Sequence, residues 1–137
     1  MTIVQSFVNF LKNKGYGMPG QNLYLYRVPN SLKTETEVLW IIPSGGTPIR
    51  RNKTEEMIKS YQFLIYYRSV SARKVDEVLN DLERVLNCSR CVELEGYELV
   101  DIQATQFPTD QDIDSENRMV GMIQVEVQVY VGCNDES

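Results

Sequence analysis

The chain has 137 residues, 42% of them hydrophobic and 24% charged, with a formal net charge of −5. That is the size and composition of one globular domain that buries a core without staples, and the acidic balance argues against tight binding to phosphates. Histidine is absent and cysteine occurs three times, which excludes Ser-His-Asp and Cys-His catalysis, imidazole metal sites and four-thiolate zinc. The odd cysteine number does not suggest a disulfide framework. No apolar run approaches the length needed to span a bilayer, and the start lacks the charged-then-apolar pattern of a signal peptide. Synthesis in a cytoplasm, no membrane partner and no catalytic role are the expectations.

Thr2 followed by Gln5 is a capping-box pattern, and Ile3, Val4, Phe7, Val8 and Leu11 then recur at helical spacing. The first helix is predicted over Ile3–Lys14, with Gly15 closing it in the left-handed conformation. Leu23 to Val28 alternates up to Pro29 and predicts a first strand. Val38 to Ile42 is a short continuous apolar run holding the sole tryptophan, Trp40, and predicts a second strand buried on both faces. The segment from Pro43 to Lys53 then reads as a long loop. Met57 to Ser69 predicts a third strand, with Tyr61, Phe63, Ile65 and Tyr67 on one side and Gln62, Leu64, Tyr66 and Arg68 on the other.

Ser71 is a good N-cap for a second helix from Ala72 to about Asn87. Val75, Val78, Leu79, Leu82, Val85 and Leu86 make its buried face, while Arg73, Glu77, Asp81 and Arg84 point out. Tyr97 to Phe107 predicts a fourth strand and Met119 to Val131 a fifth. In the last, Ile123, Val125, Val127, Val129 and Val131 take one face and Gln124, Glu126, Gln128 and Tyr130 the other. At about 3.3 Å per residue this strand spans roughly 40 Å, the full width of a domain of this size. Cys133 to Ser137 reads as a polar tail that is expected to fray.

The order helix, three strands, helix, two strands predicts an α+β fold: a single mixed sheet of about five strands with two helices packed on one face. If strands three and four pair, the helix between them makes a right-handed parallel crossover. The turn from strand two to three then lies at one end of the sheet, and the turn from strand four to five at the other.

Two charged segments therefore stand out. Arg50, Arg51 and Lys53 form a basic cluster that suits either a solvated run or a docking surface. Asp110, Asp112, Asp114 and Glu116 superficially mimic a calcium loop, but Ser115 stands where the turn glycine belongs and Gly121 where the bidentate glutamate belongs. Gly45-Gly46 lacks the spacing and the following helix of a phosphate loop. Cys88-Ser89-Arg90-Cys91 follows a helix C-terminus, where the dipole disfavours a thiolate, so inert thiols are expected. Eight tyrosines suit either half-buried strands or an interface. No cofactor or metal is expected.

Leu25-Tyr26-Arg27-Val28-Pro29, Leu39-Trp40-Ile41-Ile42-Pro43-Ser44-Gly45-Gly46, the Lys59–Arg68 strand, Leu94-Glu95-Gly96-Tyr97-Glu98 and Phe107-Pro108-Thr109-Asp110-Gln111-Asp112 follow one another in an order and spacing that resembles a known family. It is the tail-terminator proteins of long-tailed bacteriophages, often labelled minor capsid proteins, and the likeness runs over roughly residues 20 to 131. The resemblance implies a virion structural protein, made in the host bacterial cytoplasm, that forms a homo-oligomeric ring, commonly a hexamer, at the head–tail junction. Such a ring caps the tail tube, ends tube polymerisation and offers the docking surface for the head connector. Its partners would be further copies of itself, the tail-tube protein and the head-completion or connector protein, with DNA passing through without specific binding. The two charged segments become candidate assembly surfaces. Alternative readings are a related head-completion or tail-tube connector subunit and, in a different class, a small cytosolic enzyme or ligand-binding domain.

Overall fold

A computed structural model describes residues 2–28, 37–51, 57–111 and 119–131, without the side chains of 46–51, 57, 108–111 and 131. It is an α+β fold in the order α1 (Ile3–Asn13), β1 (Leu23–Leu25), β2 (Val38–Arg51), β3 (Met57–Ser69), α2 (Ala72–Leu86), β4 (Glu98–Gln111) and β5 (Met119–Val131). One five-stranded sheet has the spatial order β1-β2-β3-β5-β4. The strand β1 runs parallel to β2, and every other neighbouring pair is antiparallel.

Local chemistry starts and stops the helices where the sequence indicates. The Thr2 side chain accepts from the Gln5 amide at 3.2 Å while Gln5 Oε1 accepts from the Thr2 amide at 3.0 Å, closing the capping box. At the other end of α1 the Tyr16 amide donates to Leu11 O and the Gly15 amide to Lys12 O, the paired bonds of a Schellman motif. Gly15 sits at φ 86°, a conformation that costs a side-chain-bearing residue about a kcal/mol or more. Ser71 caps α2 by accepting from the Lys74 amide at 3.2 Å.

Both helices lie on one face of the sheet. The core joins Ile3, Phe7, Phe10 and Leu11 of α1 and Val75, Leu79, Leu82 and Leu86 of α2 to the inward strand positions, among them Phe63, Ile65, Ile102 and Val125. Val78 and Val85 of the predicted helical face are only partly buried and pack at its margin. Ser6 Oγ, deep in the core, donates to Glu95 O at 2.8 Å and pins α1 to the segment entering β4.

Three strands differ in extent from expectation. The predicted first strand stops at Leu25 because Tyr26 turns to φ 74°, with the Arg27 amide donating back to Leu25 O at 3.0 Å. This is a γ-turn with a positive central φ, a strained conformation for a bulky residue. The predicted loop after Ile42 is strand as far as Arg51, paired to β3 through register shifts at Pro43/Gly46 and Pro48/Arg50. One extra residue enters at each bulge, and Gly45 at φ 94° supplies the left-handed corner of the first. Pro43 is tolerated because β1 has already ended and its missing N–H faces the free edge of β2. Likewise β4 continues beyond Phe107 to Gln111 across a shift at Phe107/Asp110.

Strands β3 and β4 do not pair. The strand β5 lies between them, antiparallel to each, so α2 still makes a crossover between parallel strands with one position left for β5. The predicted placement of the two turns holds. Arg51, Met57 and Val131 share one end of the sheet, while Ser69, Met119 and Gln111 share the other.

Candidate functional site

The face of the sheet away from the helices is open, and the register assigns its residues to rows. Tyr24, Trp40, Tyr66, Met122 and Phe107 stand opposite one another in turn, making an apolar row that crosses all five strands. Trp40 and Tyr66 stack with ring centroids 5.1 Å apart and 11° between planes, and the Arg68 guanidinium lies 6.0 Å from the Trp40 ring. Trp40 is thus half-buried, and the expectation that β2 is covered on both faces is corrected. The next row is mixed, Ile42, Leu64, Gln124 and Thr105; then come Gln62, Glu126 and Gln103, and after them Ser60, Gln128 and Asp101. They hold two carboxylates and no cation. Sequence reading assigned Gln62, Leu64, Tyr66 and Arg68, and Gln124, Glu126 and Gln128, to the outward faces of their strands; joining them with Trp40 and Phe107 into rows needed the register.

The charged segments lie at the two ends of this sheet. Arg50 and Arg51 are the last residues of β2, opposite Ile58 and Met57, whereas Asp110 near the end of β4 is level with Val120 and Arg68. Ten residues of β3 separate the two levels, about 33 Å, several Debye lengths at physiological salt. Within one chain the backbone of Arg50 and Arg51 is therefore far from that of Asp110. Lys53, Asp112, Asp114 and Glu116 lie outside the described residues, and so does Cys133. Among the described residues no three His, Cys, Asp or Glu side chains gather as a metal site. A chelator is expected to leave the melting temperature unchanged, whereas a rise of several degrees on adding calcium would assign a site to the Asp110–Glu116 segment.

Cys88 and Cys91 are joined as a disulfide, which corrects the expectation of free inert thiols. The cause is local: a 3-10 turn, Ser89–Cys91, brings positions three apart together, with Cα atoms 5.3 Å apart. A cavity of about 600 Å³ beside it is lined by Phe10, Lys14, Arg90, Glu93 and Glu95.

A polar cluster ties α1 to α2. Tyr16 Oη donates to Asp81 Oδ2 at 2.7 Å, and Arg84 pairs with Oδ1 of the same carboxylate. The Tyr16 hydrogen bond, reinforced by Arg84, holds the Asp81 carboxyl below its ordinary range, while burial and the neighbouring carboxylate push the Tyr16 phenol far above its own. Burial and then Glu37 act on Tyr67 in the same upward direction. A lowered folded-state pKa at Asp81 means its stabilisation is present above the unfolded carboxyl value, about 3.9, and is lost as pH falls through the lower folded value. Tyr16→Phe is therefore expected to flatten the decline of melting temperature below about pH 4. An unchanged acid limb would show that the Tyr16–Asp81 bond contributes nothing.

Among the described residues no helix is long and apolar enough to cross a membrane. No model of a known protein family matches this chain, and no curated protein matches it in sequence.

Proposed function

We propose that this chain is a phage tail-terminator subunit, in which copies assemble as a ring, expected to be a hexamer, that caps the finished tail tube at the head–tail junction. The ring ends tube polymerisation and presents a surface to the head connector, and it is assembled in the host cytoplasm and retained in the virion. The observation that carries this reading is the separation of charge along the sheet. Arg50 and Arg51 end β2 at one pole, and Asp110 enters the acidic segment at the other. A subunit whose strands run between two docking levels offers a different charge above and below, as a piece inserted between tube and connector must. The open face supports the same reading: its one described arginine, Arg68, lies over the Trp40 ring, and the rows beyond carry Glu126 and Asp101, whose charge lets a phosphate backbone slide past without sticking. The sequence resemblance supplies the remainder.

Light scattering at high concentration and after incubation with purified tail tubes tests the proposal directly. A protein that stays strictly monomeric under both conditions overturns it. The double variant Arg50→Glu with Arg51→Glu should weaken assembly while leaving the melting temperature nearly unchanged, since both residues end a strand. Unaltered ring formation and tail–head joining in that variant would reduce the basic pair to a solvated face.

A further inference from the structure

Each lateral edge of the sheet carries an apolar feature that is exposed among the described residues. On the β1 side, Val4 and Val8 of α1 and Pro19, Leu23 and Leu25 line a groove of about 330 Å³. Leu25 in its lining is 38% accessible, and Met18 and Tyr26, the chain neighbours of Pro19 and Leu25, are 47% and 60% accessible. Tyr26 is held out by its strained γ-turn. On the β4 side, at the opposite edge, Phe107 is 37% accessible.

The two features lie at one level. Tyr24, between Leu23 and Leu25, is connected through Trp40, Tyr66 and Met122 to Phe107 by direct register, four strand spacings or about 19 Å away. A contact between a groove and a knob on opposite edges is heterologous. It closes into a ring when successive copies are related by rotation without translation, and it makes a filament when there is a rise. Features at equal height along the strands meet the first condition for an axis parallel to the strands.

Charge agrees with the pairing. Arg27 beyond the groove is exposed and has no carboxylate partner among the described residues. Beside Phe107 on the β4 edge, the half-buried Glu83 accepts from the Gln106 amide through Oε2 at 2.7 Å. Pairing of backbone edges is closed at this level of β4, because Asn87 occupies both polar groups of Ala104, with Nδ2 donating to O at 3.0 Å and Oδ1 accepting from N at 2.8 Å. Contact here has to be made by side chains.

We infer that the Val4–Val8–Leu23–Leu25 groove of one copy receives Phe107 of the next, with Arg27 facing Glu83 across the joint. This rests on the ring reading above and names its subunit contact. The test uses full chains with Cys133→Ser, kept non-reduced so that Cys88 and Cys91 stay joined, and a short bismaleimide crosslinker. Leu25→Cys alone and Phe107→Cys alone should give no covalent dimer. An equal mixture of the two should give dimers, and the double variant a ladder ending at the ring number. Phe107→Asp should lower the assembled fraction at least tenfold at fixed concentration, with an unchanged monomer melting temperature because the side chain is exposed.

No dimer in the mixture, in samples that native mass measurement shows to be assembled, overturns the groove–Phe107 contact and leaves the ring reading standing. Self-crosslinking by either single variant indicates a two-fold contact and also overturns it. Strictly monomeric wild type, alone and with tail tubes, removes both.

Discussion

Phe63→Ala is expected to lower the unfolding free energy by about 3–5 kcal/mol, the range for truncating a buried aromatic in a close-packed core. Phe63 is 1% accessible on β3, the middle strand, and its ring centroid lies 4.9 Å from that of Phe7 on α1, which is fully buried. The substitution removes the ring against which α1 packs and leaves a cavity between helix and sheet. Leu82→Ala, at a fully buried position on α2, should cost about 2–5 kcal/mol by the same mechanism. Denaturant unfolding followed by circular dichroism measures both. A loss below about 1 kcal/mol for Leu82→Ala, with assembly impaired instead, would move that helix face from core to interface.

Asn87→Ala should have two effects, and the second is larger. It strips the Ala104 amide and carbonyl of their partners at a site 8% accessible, which costs on the order of 1–3 kcal/mol. It also opens the outer edge of β4, where the Asn87 carboxamide and the Glu83 carboxylate take the place that a neighbouring strand would fill. A long edge with free backbone groups is a template for another strand. The double variant Asn87→Ala with Glu83→Ala is therefore expected to self-associate into irregular, β-rich species, seen as rising mass in sedimentation velocity at concentrations where wild type gives discrete species. Wild-type sedimentation in the double variant would show that α2 does not guard the edge. Asn87→Asp separates the two contributions, since it keeps an acceptor for the Ala104 amide and loses the donor to its carbonyl.

The other edge is protected differently. Pro43 and Pro48 interrupt β2 where β1 no longer covers it, and two bulges break the register there. Prolines and bulges are the ordinary means of blunting a free edge. They are also why this segment resembles a loop when read residue by residue. Pro-Ser-Gly-Gly-Thr-Pro carries every local sign of a turn, and only the partner strand β3, supplying a ladder as far as Arg51, makes it extended.

What the sequence determined by itself was whatever depends on neighbours along the chain. Thr2 with Gln5, Gly15 and Ser71 set the helix ends because capping is a contact over a few residues. The alternation of Ile123 through Val129 assigned one face of β5 to the core because side chains in a strand alternate regardless of what they meet. The α+β order followed from those periods. Tertiary structure decided what depends on pairing. The insertion of β5 between β3 and β4 and the extension of β2 and β4 require knowing which segments meet in space. The apolar row from Tyr24 to Phe107 is the clearest case. Its five members are scattered over more than eighty positions and share no local pattern, and the register of four strand pairings alone sets them side by side.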